Sequence, residues 1–188
     1  MNQLSDRLNS LSPSATLAMS QKSNELKAQG VDVINLSVGE PDFNTPEPIK
    51  DAAKKAIDEN YSRYSPVAGY PALRNAIVAK LKNENGLEYT ANQISCANGA
   101  KQSVCNTIMV LVNPGDEVII PAPFWVSYPE MVKLAEGTPV IVAAGIEQDF
   151  KITPAQLETA ITPKTKALIL CSPSNPTGCL LYTSDAAD

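Results

Sequence analysis

Between Val118 and Cys171 the chain carries three short, nearly continuous apolar runs, Val118 to Pro121, Pro139 to Ala143 and Ala167 to Cys171. Runs of this length without polar alternation are the form taken by strands covered on both faces. The stretches between them, "WVSYPEMVKLAEG" and "TPAQLETAIT", have helical character. Strand and helix therefore alternate, which predicts an α/β fold built on a mainly parallel sheet.

Upstream the pattern is helix-first. "PSATLAMSQKSNELKAQG" places Leu17, Ser20, Asn24 and Leu26 at mixed helical spacing, with Pro13 near the start and Gly30 as a C-cap. "VDVINLSVGEPDF" reads as a short strand running into a turn. In "TPEPIKDAAKKAIDEN", Thr45 is the expected cap and Pro46 the first helical residue, ahead of an apolar face of Ile49, Ala52, Ala53, Ala56 and Ile57. Leu73, Ile77 and Leu81 repeat the design in the next helix, which Gly86 ends. A strand around Ile94 is then expected to lead into the long apolar helix of "ANGAKQSVCNTIMVLV". The residues up to about 45 precede the alternation and are assigned to a separate layer.

Composition narrows the functional classes. The 188 residues are 44% hydrophobic with a net charge of -5 and no Lys/Arg cluster, which excludes a nucleic-acid partner. No apolar run reaches membrane-spanning length, and "MNQLSDRLNS" lacks the basic start and apolar stretch of a signal peptide, so a cytoplasmic protein is expected. The four cysteines, Cys96, Cys105, Cys171 and Cys179, have no C-x-x-C spacing, and there is no histidine. Zinc sites and histidine-based triads are thereby excluded, and reduced, mostly buried thiols are expected.

Several short stretches carry candidate chemistry. Gly99 and Ala100 stand at the mouth of a long helix, where small residues let backbone N–H groups approach an anion and the helix dipole favours a phosphate. The same Gly also fits a plain turn. Neither a Walker loop nor a G-x-G-x-x-G fingerprint is present. Lys101 adds a charge on the first turn, or is simply an exposed lysine. Trp125 either stacks on a planar ligand or anchors its turn on the sheet. Gly39 offers a bare backbone beside an acidic turn that includes Asp42, and Tyr64 lies on a loop ahead of a helix.

"LSVGEPDF", "RYSPVAGYPALR", "NGAKQ", "NPGDEVIIPAPFWVSYPEM", "ITPKTKALIL" and "SPSNPTG" stand in the order and spacing of a known family. From Leu11 to Gly178 the chain resembles class I aminotransferases, in particular the bacterial aspartate aminotransferase branch. The resemblance implies a three-layer, fold type I enzyme that uses pyridoxal 5'-phosphate (PLP) and works as a homodimer on amino-acid and 2-oxo-acid substrates. It implies that Gly99, Ala100 and Lys101 form the phosphate cradle, with Lys101 also facing an acidic substrate side chain. Trp125 then stacks on the pyridine ring and Asn175 hydrogen-bonds its 3'-oxygen. Gly39 contributes a backbone amide to the substrate α-carboxylate, and Tyr64 reaches the phosphate of the neighbouring subunit's cofactor. The resemblance also implies a cis Asn175–Pro176 bond.

The family pattern places the Schiff-base lysine, the aspartate facing the pyridine nitrogen and a carboxylate-clamping arginine in a second half that this sequence does not match, so no catalytic residue is assigned. The expected division is 1–45 as N-terminal arm and part of a small domain, 46–178 as the first half of the large domain, and 179–188 as a non-native tail, because "CLLYTSDAAD" departs from the family pattern. Aspartate with 2-oxoglutarate is the leading substrate pair, with prephenate or a broader range as the other option. The competing readings are an inactive fragment, a non-catalytic PLP- or phosphate-binding module, or another fold type I enzyme such as a lyase.

Overall fold

The first two apolar runs between residues 118 and 171 fold as strands, and the third enters a strand that ends at Leu168. The computed structural model describes residues 4–36 and 39–182. In chain order these form α1 (Asp6–Asn9), α2 (Ala15–Ala28), α3 (Glu47–Asp58), α4 (Pro71–Asn85), a 3-10 turn at Ala91–Gln93, α5 (Gly99–Leu111), β1 (Glu117–Ala122), α6 (Ser127–Leu134), β2 (Thr138–Ala143), a second 3-10 turn at Ile146–Gln148, α7 (Pro154–Ala160) and β3 (Thr165–Leu168). The chain divides into two compact units, 1–38 with 104–188, and 39–103.

The larger unit is organised by its sheet. Its order is β2-β1-β3, and both pairings are parallel. Ile119 stands opposite Val140 on one side and Leu168 on the other. Because β1 is central, Val118, Ile119 and Ile120 are all buried although their side chains alternate between faces. Val118 and Ile120 enter a core cluster with Ile108, Val112, Val132 and Ala135, against which Tyr128 and Ile169 pack. Burying each large aliphatic side chain contributes about 1.5–3 kcal/mol, so stability is concentrated where α5 and α6 meet the central strand. The third apolar run pairs as expected, with the Ile169 N–H donating to Ile119 O at 3.0 Å just past β3. α7 starts with a capping box in which Thr153 and Gln156 satisfy each other's backbone N–H groups.

The smaller unit carries α3 and α4. Pro71 opens α4, and Gly86 closes it in the left-handed region at φ 67°, as the sequence implies. The Arg74 guanidinium donates to Ala91 O and to Asn92 Oδ1, fixing the 3-10 turn beside α4. Backbone lies close at Gly69, where a Cβ would sit 2.7 Å from Cys96 Sγ, and the Cys96 N–H donates to Ala68 O at 3.0 Å.

Three local expectations need correction. Residues 31–36 form no strand, because a strand requires a ladder partner and none of β1 to β3 pairs with this segment; Ile34 and Leu36 are exposed. The segment around Ile94 is likewise extended backbone outside any sheet, following the 3-10 turn. Pro46, not Thr45, is the N-cap of α3, without a side-chain cap, since the proline already fixes a suitable φ. Of the segment 179–188, residues 183–188 lie outside the described residues, as do Ser37 and Val38 of the "LSVGEPDF" stretch.

Candidate functional site

Two of the expected site residues follow neighbouring strands. Trp125 lies just beyond the C-terminal end of β1, and Asn175 lies on the loop that follows β3. Since β1 and β3 are parallel and adjacent, both loops leave the sheet at the same end, the end where open α/β sheets bind ligands. Trp125 is half-buried, its ring edge-on to Tyr128 with centroids 5.4 Å apart and planes at 89°. The Asn175 loop closes on itself: the Ser174 N–H donates to Cys179 O and the Gly178 N–H to Ser174 O, both at 2.8 Å. Further on, the Leu181 N–H donates to Ser172 Oγ at 2.9 Å. Asn175 is exposed at the loop's outside, and Asn175–Pro176 is cis, as expected; Ala122–Pro123 and Ser172–Pro173 are cis as well.

Under these loops lies a cavity of about 30 Å³, lined by residues that include Phe124, Tyr128, Phe150, Cys171, Ser174 and Cys179. Burial and a hydrogen bond to Cys171, reinforced by the charge that the thiol would carry, push Tyr128 up to about 12. The phenol is therefore protonated at neutral pH. Cys171 Sγ in turn donates to Pro173 O at 3.3 Å, and Cys179 Sγ donates to Asp149 O at 3.1 Å. Neither Tyr128 nor Cys171 was singled out from sequence. The available signal was that Tyr128 follows Trp125 by three, one helical step. All four cysteines are free and half-buried rather than mostly buried, because they sit at element ends and in loops or on a half-covered helix.

The remaining candidates belong to the other unit. Gly99 opens α5 at φ 78°, with no heavy atom within 4 Å of the position a Cβ would take. Its N–H donates to Ala97 O at 2.9 Å, and the Asn98 N–H donates to Gln102 Oε1 at 2.6 Å, so two of the amides near the helix mouth are engaged within the turn. Gly99, Ala100 and Lys101 are all exposed. First-turn N–H groups of a 13-residue helix point along its axis toward solvent, where an anion is favoured. Tyr64 projects fully from its loop, and Gly39 is exposed with open space around it.

The family model for aminotransferase class I and II matches residues 31–186. The chain belongs to this family. Among the curated relatives, this class I and II chain is 55% identical over 184 residues to the aspartate/prephenate aminotransferase of Cereibacter sphaeroides, covering 98% of the chain and 46% of the relative. It is 54% identical over 182 residues to the aspartate aminotransferase of Bacillus sp. strain YM-2, again covering 97% and 46%. Among solved structures it resembles the aspartate aminotransferase of Rhizobium meliloti, with a TM-score of 0.93 at 42% identity over 100% of this chain and 47% of that one. The enzyme of Thermus thermophilus with maleate gives a TM-score of 0.93 at 45% identity over 98% and 48%. The aminotransferase chain thus spans about half the length of the curated relatives it matches, and its fold is that of the fold type I enzymes.

Proposed function

We propose that this chain supplies the cofactor-holding part of a PLP-dependent aminotransferase that moves an amino group between aspartate and 2-oxoglutarate. The observation that carries the reading is the pairing of Trp125 and Asn175 on loops at one end of adjacent parallel strands, in a chain at 54% identity with a protein named aspartate aminotransferase. The residues fit PLP. Trp125 is half-buried and meets Tyr128 edge-on, a flat ring of the kind that stacks on a pyridine, and the exposed Asn175 amide suits a ring oxygen. Gly99 has no atom where a Cβ would stand, which leaves room for a phosphate.

When bound, PLP supplies an electron sink for bonds at the substrate α-carbon. The chain's own residues would bind and orient. Gly99, Ala100 and Lys101 hold the phosphate, Trp125 covers one ring face and excludes water, and Asn175 fixes the 3'-oxygen. Gly39 would present its amide to the substrate α-carboxylate, and the Lys101 ammonium would favour an acidic substrate side chain. Tyr64, projecting freely, suits contact with the cofactor phosphate of a second subunit in a homodimer. Four free thiols fit a reducing compartment, and we place the protein in the cytoplasm. Among the described residues no helix is long and apolar enough to cross a membrane.

The test is amino transfer by the whole protein that carries this chain, supplied with PLP, aspartate and 2-oxoglutarate and followed as oxaloacetate. Steady turnover supports the reading, and none with any amino donor overturns it. Because one relative is named aspartate/prephenate aminotransferase, prephenate is the second acceptor to assay. Faster amination of prephenate than of 2-oxoglutarate would move the substrate assignment without moving the reaction class.

A further inference from the structure

Within the unit 39–103, the loop that carries Tyr64 and the segment that leads into Gly99 are joined at Gly69 and Cys96. The loop is closed at its base, where the Tyr61 and Tyr70 rings meet edge-on at 5.5 Å, and it turns back where the Gly69 N–H donates to Pro66 O at 2.9 Å. On the other side, residues 94–97 belong to no helix or sheet, and the N–H groups of Ile94 and Gly99 bond locally, to Ala91 O and Ala97 O. The Cys96 N–H instead crosses to Ala68 O at 3.0 Å. Beside this bond Gly69 has φ 98°, and a Cβ there would lie 2.7 Å from Cys96 Sγ and 2.8 Å from Cys96 Cβ. A thiol rotates away from such a clash, but a Cβ is fixed to its backbone, so a side chain at position 69 forces the two segments apart.

We propose that Gly69 and Cys96 are positioning residues for cofactor phosphates: their junction fastens the Tyr64 loop to the entry of α5, so that one subunit's own cradle and the tyrosine it offers to a second subunit are set as a single block. This rests on the proposed reading of Gly99, Ala100, Lys101 and Tyr64 as phosphate contacts. The cradle's donors are backbone N–H groups, which no rotamer re-aims, so their direction follows the segment that enters the helix. Tyr64 is fully exposed, and its placement is inherited from the backbone bonded at Ala68, at most about 14 Å of extended chain away. Small displacements matter at both ends, because a hydrogen bond weakens steeply as it leaves its preferred angle. Arg74 adds a second fastening, its Nε donating to Ala91 O at 2.8 Å.

PLP and pyridoxal, which share the ring and differ in the phosphate, separate this role from a general loss of structure. In the whole protein that carries this chain, Gly69→Ala is expected to weaken PLP binding, read from the absorbance of bound cofactor, about tenfold, and to leave pyridoxal binding unchanged. Gly69→Ala/Cys96→Gly, which removes the opposing side chain, is expected to bind PLP about threefold or more tighter than Gly69→Ala. Adding Tyr64→Phe to Gly69→Ala is expected to cost less than the product of the two single losses, because the loop is already displaced. Amide hydrogen exchange without cofactor reports the block itself: Gly69→Ala is expected to speed exchange about threefold or more in both 62–68 and 94–101, and Cys96→Gly added to it to slow both again. Should Gly69→Ala fail to fold by far-ultraviolet circular dichroism, Cys96→Gly alone, which empties the junction without adding bulk, decides by the same readouts, with an expected loss of about threefold for PLP and none for pyridoxal. Equal losses for PLP and pyridoxal, exchange that rises in one segment only, or no recovery in the double variant would overturn the proposal. An unsubstituted protein that binds PLP no tighter than pyridoxal overturns the functional reading instead, and hydrogen exchange still decides whether the junction holds the two segments together.

Discussion

The carboxylate of Glu130 accepts the backbone N–H of Ser12 at 2.8 Å while its other oxygen meets Lys133 Nζ at 2.9 Å. One side chain of α6 thereby ties down the approach to α2 from 118 residues away in sequence. Burial pushes the Glu130 carboxyl up, but the Lys133 hydrogen bond, the Ser12 N–H and the Lys133 charge outweigh it and hold the group below its ordinary value. A depressed carboxylate contributes stability above the unfolded value and loses it as pH falls through the folded one. Denaturant midpoints are therefore expected to fall below pH 4.5 with a component that Glu130→Gln removes. At pH 7 that substitution is expected to cost about 1 kcal/mol. A Glu130→Gln protein with the same acid limb as the parent would count against the tie.

Core positions differ sharply in what they hold. Ile120 is fully buried in the central strand, whereas Ile57 on α3 is 73% exposed despite lying on the expected apolar face. Ile120→Ala is expected to destabilise by about 2–5 kcal/mol through lost transfer energy and the cavity left behind. Ile57→Ala is expected to stay within about 0.5 kcal/mol. Urea unfolding of the two variants under identical conditions checks both, and equal losses would mean that α3 is covered in solution.

What the sequence made legible follows from which interactions are local. Val118 to Pro121 identified itself as a strand covered on both faces because such burial removes polar alternation from the sequence itself, whereas the two runs read in the same way became half-exposed strands at the sheet edges. Gly86 likewise revealed a helix end, since the left-handed cap is a property of one residue. Residues 31–36 misled because an apolar run becomes a strand only beside another, and that partner is not encoded in the run. The Tyr128–Cys171 contact was hidden for the same reason. The two residues are 43 apart in sequence, one in α6 and the other past β3, and although Tyr128 lies within a quoted motif nothing in that motif points to Cys171. Asn175 and Trp125 were found through the family pattern, while their common placement at one end of β1 and β3 required the pairing.

Gly137 precedes β2 where the chain turns tightly over α5 and β1. A Cβ there would lie 2.5 Å from Val112 Cγ1 and 3.2 Å from both Asp116 O and Val132 Cγ1. Two of these neighbours are buried core side chains that cannot swing into solvent. Gly137→Ala is therefore expected to cost about 1–3 kcal/mol by overpacking. Val112→Ala in the same chain is expected to recover part of that loss, because it removes the nearest methyl. Thermal unfolding of the single and double variants measures the coupling, and strict additivity would rule out the clash.

Replacing Trp125 by Ala in the whole protein is expected to weaken PLP retention about tenfold and to slow transamination, since a stacking ring is lost and one face is opened to water. The absorbance of bound PLP during dialysis reports it. Unchanged retention with unchanged turnover would assign Trp125 to anchoring its turn.

The 188 residues on their own are expected not to transaminate, even with PLP in excess. The reaction needs a tuned amine that holds the cofactor and moves a proton at the substrate α-carbon. Lys101 lies in the first turn of α5, where the proposed reading assigns it to the phosphate and not to the reacting end of the cofactor. Exposed apolar side chains add a second obstacle: Ile34, Leu36 and Val110 are 85%, 91% and 83% exposed, which favours association of the isolated chain. The assay is the purified chain with PLP, aspartate and 2-oxoglutarate, followed as oxaloacetate beside a free-PLP control and with sedimentation of the same sample. Turnover clearly above the control and abolished by Lys101→Ala would give Lys101 the role of that amine and remove it from the phosphate cradle.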